Sequence, residues 1–150
     1  MDYSIIDAHA HLWLKQDTLV EGKQIKTIEN GKSLFMGDVR QMLPPFMIDG
    51  VNSAEVFLSN MDYAQVGAAV ITQEYIDGLQ NKYLWEVQQR FPDRFFCCGM
   101  IDVRNKGYEE HAEQLINQGF KALKLPANRF ILPDWRVYLT NDSLMRVFKF

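Results

Sequence analysis

The sequence predicts an α/β protein built on a parallel sheet. Three observations point there. Short apolar segments of strand length alternate with amphipathic segments of helix length. The second, third and fourth apolar segments start near residues 68, 95 and 121, a repeat of about 27 residues that suits right-handed strand-helix-strand crossovers. These strands are apolar on both faces, as buried parallel strands are.

Taken in order, Ser4-Ile5-Ile6-Asp7-Ala8 reads as a short buried strand. Residues 14–50 show no clear periodicity. Gly22, Gly31, Gly37, Gly50 and Pro44-Pro45 predict a long loop or irregular insertion, with a short helix near Asp38 to Met42. Long loops in compact domains are usually functional or mobile. Ala54, Phe57, Leu58, Met61 and Gln65 then fall at helical spacing, with Asn52 and Glu55 as a capping box and Gly67 as the stop. Ala68-Ala69-Val70-Ile71 is a second strand. Tyr83 to Phe91 is a second helix, with Leu84, Val87 and Phe91 inward and Pro92 ending it. Phe95 to Ile101 is a third strand. Tyr108, Ala112, Leu115 and Ile116 mark a third helix closed by Gly119, and Phe120 to Leu125 is a fourth strand. Thr140 or Asn141 opens a last helix with Leu144, Val147 and Phe148 inward.

Composition narrows the function classes. The 150 residues include 16 Lys+Arg and 19 Asp+Glu, for a net charge of −3. With 47% hydrophobic and 23% charged residues, the chain reads as a soluble globular domain with one core. The mildly acidic balance argues against nucleic acid or an anionic membrane as partner. Met1-Asp2-Tyr3-Ser4 carries neither a basic start nor a leader-like apolar run, and no apolar run nears the roughly 20 residues of a membrane span. A cytoplasmic location is the expectation. Cys97-Cys98 are adjacent, so on a strand they point to opposite faces and read as packing residues. Neither GxGxxG nor GxxxxGK[ST] is present, which leaves a nucleotide fold with little support.

The motif that carries chemistry is Asp7-Ala8-His9-Ala10-His11-Leu12-Trp13. On a regular strand residues 7, 9 and 11 share one face. Two imidazoles so placed can hold one divalent metal at about 2.0–2.1 Å each, and Asp7 could either orient an imidazole from behind or contact another strand-helix loop. The motif sits where a strand leaves the sheet, the end at which active sites gather in parallel α/β folds. The same pair also fits two ordinary core-edge histidines. His111, between Glu110 and Glu113, reads as part of a solvated helix face.

The stretch Ile5 to Trp13 resembles the opening of the amidohydrolase-related family of metal-dependent barrel enzymes. Met61 to Ile71 resembles that family's first helix running into strand two. Phe91-Pro92-Asp93-Arg94-Phe95 resembles the approach to strand three, and Gly119 to Leu125 resembles strand four. The resemblance covers about residues 4–126, with 14–50 unmatched. It implies a parallel (β/α) barrel of TIM-barrel type, of which this chain supplies about four βα units, an N-terminal half barrel over residues 1–150. It also implies one divalent metal, usually zinc, held in part by His9 and His11. The activity implied is hydrolysis of a small carbonyl substrate (a lactone, amide or similar) through a metal-activated water. The further ligands and catalytic groups belong to strands five, six and eight, so the catalytic residues are expected downstream of Phe150.

Other strand ends supply candidates. Gln73, Glu74, Tyr75 and Asp77 follow strand two, Asp102 and Arg104 follow strand three, and Pro126, Asn128 and Arg129 follow strand four. Most such loop charges are solvated faces. Arg129 is the candidate for gripping a substrate carboxylate, because its planar fork suits one. Trp13, Tyr75 and Trp135 could line an aromatic pocket. Some related barrels carry a carboxylated lysine on strand four as a metal bridge. Lys124 stands on that strand, although members resembling this chain often carry a lysine there without a second metal. Three other readings stay open: decarboxylation or hydration within the same family, a phosphoesterase-like or deoxyribonuclease-like barrel, and a non-catalytic half barrel. The expected partners are a small-molecule substrate and either a second copy or a complementary C-terminal half, because a half barrel exposes raw sheet edges.

Overall fold

The apolar opening Ile5-Ile6 runs on through the histidine pair as one strand, β1 (Ile5–His11), longer than the sequence predicts. The computed structural model describes residues 4–103, 105–125 and 142–147. They form two units, Met1–Cys97 and Cys98–Phe150. Arg104, Pro126, Asn128, Arg129, Trp135, Thr140, Asn141 and Phe148 lie outside the described residues, as does the side chain of Leu144.

In the first unit β1, β6 (Val66–Thr72) and β7 (Phe95–Cys97) form a parallel sheet in the order β1-β6-β7. This is the parallel α/β arrangement that the repeat predicts. Helix α1 (Ala54–Tyr63) joins β1 to β6, and α2 (Asn81–Arg90) joins β6 to β7. Ala54 and Met61 of α1 and Leu84 and Val87 of α2 are buried, together with Ala69, Ile71, Phe95 and Cys97 of the strands. The Phe95 ring is stacked on Phe57 at 6.2 Å and meets Phe91 edge-on at 6.0 Å.

Ser53, not Asn52, caps α1: its hydroxyl accepts the Val56 N–H at 3.3 Å. The Tyr83 hydroxyl accepts the Ala54 N–H at 2.8 Å, so α2 helps to satisfy the start of α1. Asn52 is engaged elsewhere, in the neck of the insertion. At the other end α1 stops at Ala64, Gln65 takes a left-handed turn with φ 58°, and Gly67 lies inside β6.

The insertion is not irregular. Asp17–Val20, Lys23–Thr27, Lys32–Phe35 and Asp38–Gln41 are strands β2 to β5 of an antiparallel meander. The helix expected near Asp38 is therefore a strand, paired from Phe35↔Asp38 to Lys32↔Gln41. Two tight turns explain it. Glu21-Gly22 and Met36-Gly37 have positive φ at both residues, 52° with 74° and 57° with 102°. That is the mirror-image turn whose twist matches hairpin strands. Ile25 and Ser33 are buried on the inner side, and the meander closes at a neck where Trp13 and Asn52 exchange backbone hydrogen bonds of 3.0 Å.

The second unit pairs β8 (Gly99–Met100) with β9 (Leu123–Lys124), in parallel. Helix α3 (Tyr108–Gln118) joins them, and α4 (Asp142–Val147) follows. Gly119 closes α3 as the sequence predicts. Gly119 N–H donates to the Ile116 carbonyl at 2.9 Å and Phe120 N–H to that of Leu115 at 3.0 Å, with Leu115 and Phe120 both buried. The single strand expected over Phe95 to Ile101 is divided between β7 and β8. Among the described residues, no helix is long and apolar enough to cross a membrane.

Phe95 carries the core of the first unit. Phe95→Ala should lower stability in urea by about 3–5 kcal/mol, and a loss below about 1 kcal/mol would contradict this packing.

Candidate metal centre

Strand β1 does not stay regular. Its register against β6 runs Asp7↔Ala69 and then Ala10↔Ile71, so one extra residue is inserted between them. A bulge of this kind re-aims side chains. It overturns the expectation that residues 7, 9 and 11 share a face by simple alternation. The Asp7 carboxylate turns back to accept the His9 N–H at 3.0 Å, and Asp7 lines a hollow with Phe57, Asn60 and Met61 of α1. His9 and His11 still meet, with ring centroids 4.8 Å apart and planes at 69°.

Asn52 and Thr72 hold His11. Its carbonyl accepts the Asn52 side-chain amide at 2.7 Å. Its Nδ1 lies 3.3 Å from the Thr72 carbonyl and 3.2 Å from the Thr72 hydroxyl. A carbonyl only accepts, so the first of these is a hydrogen bond when Nδ1 carries the proton. Nε2 then keeps the lone pair a metal needs.

The third member is Glu74, two residues beyond the end of β6. Donor atoms of His9, His11 and Glu74 all lie within 4.8 Å of one another. Two donors bound to one ion at up to about 2.2 Å stand no more than about 4.4 Å apart. The set is therefore a small side-chain rotation from chelation. Two imidazole nitrogens and a carboxylate oxygen are a donor set that suits zinc, and three protein ligands leave a position open for chemistry. The residues present fit the metal that the resemblance implies.

A sequence model of the family described as Amidohydrolase matches residues 6–145. The chain belongs to the amidohydrolase family. Among solved structures it is similar to a probable 2-pyrone-4,6-dicarboxylic acid hydrolase from Acinetobacter baumannii with citric acid bound. The TM-score is 0.55 and the identity 20%; the match covers 98% of this chain and 46% of that one. The fold is thus part of an amidohydrolase-type barrel, and the chain spans about half the length of that relative. No curated protein is similar enough to count as a match.

Within this amidohydrolase framework the other candidates take varied places. Trp13 is 7% exposed, and its indole N–H donates to the Gly50 carbonyl, so it braces the neck of the insertion. Tyr75 is half-buried at the start of a short 3-10 turn, Tyr75–Asp77, directly after Glu74. Gln73 is buried, joined to Asn81 at 2.7 Å and to the Gln80 N–H at 2.8 Å. Asp102 and Lys124 belong to the second unit, where burial pushes the Cys98 thiol up and the Lys124 charge opposes the rise. His111 is half-buried and not fully solvated. Arg129 and Trp135 lie outside the described residues.

Sequence reasoning grouped Glu74 with solvated loop charges and passed over Gln16. Glu74 had one usable signal, its place just beyond the strand next to the histidine strand. Asp77, read the same way, is only 5% exposed and accepts the Gln16 amide at 2.9 Å. Burial pushes its carboxyl up to about 6; the Gln16 amide opposes the rise and the nearby Glu74 charge adds to it.

An acid raised from 3.8 to about 6 on folding favours the folded state at low pH. The contribution is fully present below about pH 4 and lost as pH rises through about 6; two units amount to roughly 3 kcal/mol. Asp77→Asn should remove that part of the slope. Urea melts at pH 4.5 and 7.5 check it, and an unchanged slope in the variant would refute the assignment.

Proposed function

We propose that the chain is part of a metal-dependent hydrolase acting on a small carbonyl substrate such as a lactone or amide. His9, His11 and Glu74 hold one divalent cation, zinc by the chemistry of the donors. The observation that carries this reading is the convergence of the three donors at the loop end of β1 and β6. Membership of the amidohydrolase family supports it. A cation in this position supplies Lewis-acid chemistry, polarising a substrate carbonyl and acidifying water. The chain's own residues hold the geometry. Asp7 fixes the His9 backbone, Asn52 the His11 backbone and Thr72 the His11 ring.

The substrate class follows from two supports. Arg129 suits a carboxylate, and the solved relative is described as a hydrolase of a dicarboxylic acid. Carboxylated lactones are therefore the first compounds to screen, with the whole barrel as catalyst.

The test of the metal site needs no substrate. Zinc titration of the full chain should give one ion per chain. His9→Ala and His11→Ala should each weaken binding by more than the roughly 10–100-fold typical of outer-shell changes. Unchanged stoichiometry and affinity in both variants would remove these ligands from the site.

A second reading, self-association, is favoured by β1 itself. Among the described residues β1 pairs only with β6, and Ile5 and Ile6 are 53% and 60% exposed. An open apolar edge promotes strand addition. Sedimentation velocity should show a mass that rises with concentration, and a monomer at every concentration would rule this out.

A further inference from the structure

The antiparallel insertion reaches the candidate metal centre through two hydrogen bonds. Gln16 Nε2 donates to Asp77 Oδ1 at 2.9 Å, and the Thr18 hydroxyl donates to the Ile76 carbonyl at 2.6 Å. Both acceptors lie in the 3-10 turn that follows Glu74. Asp77 N–H closes that turn on the Glu74 carbonyl at 3.2 Å. Glu74 is thus one end of a single turn, and the insertion grips the other end.

Gln16 is itself held in place. Its Oε1 accepts the Ser33 hydroxyl at 2.9 Å and the Thr27 hydroxyl at 3.2 Å, and its backbone carbonyl accepts the Thr27 N–H at 3.1 Å. Thr27 belongs to β3 and Ser33 to β4, so two strands of the meander orient one amide. Gln16 and Ser33 are buried, which makes these bonds costly to break and sharp in geometry. On the far side, Gln80 Nε2 donates to the Asp77 carbonyl at 2.6 Å. The turn is gripped from both sides.

We propose that the insertion is the positioning element of the metal centre: Gln16, acting through Asp77, and Thr18, acting through Ile76, hold the turn that presents Glu74 to the two histidines. This rests on the reading of His9, His11 and Glu74 as ligands. It gives the insertion a stated role in metal affinity, and it makes Gln16 and Thr18 positioning residues that touch neither metal nor substrate.

A double-mutant cycle on the full chain tests it, with zinc affinity by competition titration as the readout and thermal melts alongside. Gln16→Ala should weaken zinc binding about 10–100-fold, as outer-shell changes do. In a Glu74→Gln background the same change should cost less than about twofold, because the residue it acts through no longer ligates. Asp77→Asn, which keeps an oxygen to accept the Gln16 amide, should bind zinc within about threefold of the wild type, whereas Asp77→Ala should behave like Gln16→Ala. If Gln16→Ala does not fold, Thr18→Val replaces it in the same cycle. An equal loss in both backgrounds would mark a merely structural role and overturn the proposal while leaving the ligands standing. Wild-type protein that binds no zinc, or binds it undiminished without His9 and His11, would overturn the ligand reading and this proposal with it.

Discussion

The parallel pairing of β1 with β6 is the constraint on which the rest depends. His11 stands opposite Thr72 in that register. The pairing therefore puts the second histidine beside the last residue of β6, and Glu74 two residues beyond it. A slip of one residue would turn β1's side chains to the other face and separate the histidines from the carboxylate. The register shifts by one residue between Asp7 and Ala10; beyond it Ala10 is buried, and the rings of His9 and His11 stand together, 4.8 Å apart.

Polar bonds then lock what the sheet has placed. Asp7, Asn52 and Thr72 each engage the histidine strand, and Gln16 reaches across to Asp77. The Gln16–Asp77 bond is buried, and buried polar groups are costly when unpaired, so it favours one geometry. The Asp77 carboxyl is held in a dry place, beside the charge of Glu74, and accepts the Gln16 side-chain amide. That turn links the insertion to the candidate metal centre.

The legible parts of the fold were those with strong local periodicity or punctuation. Leu84 and Val87 set the inner face of α2, and Gly119 closes α3 where the sequence places a stop. The meander was not legible as strands. Its segments are four or five residues long and carry Lys, Asp, Gln and Arg, so neither alternation nor apolar content marks them. The signal that existed was the Glu21-Gly22 and Met36-Gly37 pairs, read as loop glycines and not as hairpin turns. The cap of α1 moved by one residue because Asn52 is drawn into the neck by Trp13 and His11.

The sequence by itself determined the parallel α/β class, the succession of βα units and the histidine pair as the candidate metal centre. Those follow from periodicity and from short-range spacing, which a linear chain carries directly. Only the tertiary structure decided that Glu74 joins the pair, that Asp77 is buried, that Trp13 is a brace, and that residues 17–41 form a sheet anchored by Gln16. Each of these depends on residues tens of positions apart meeting across a strand register, and a register with a bulge is set by packing and buried hydrogen bonds that no local pattern records.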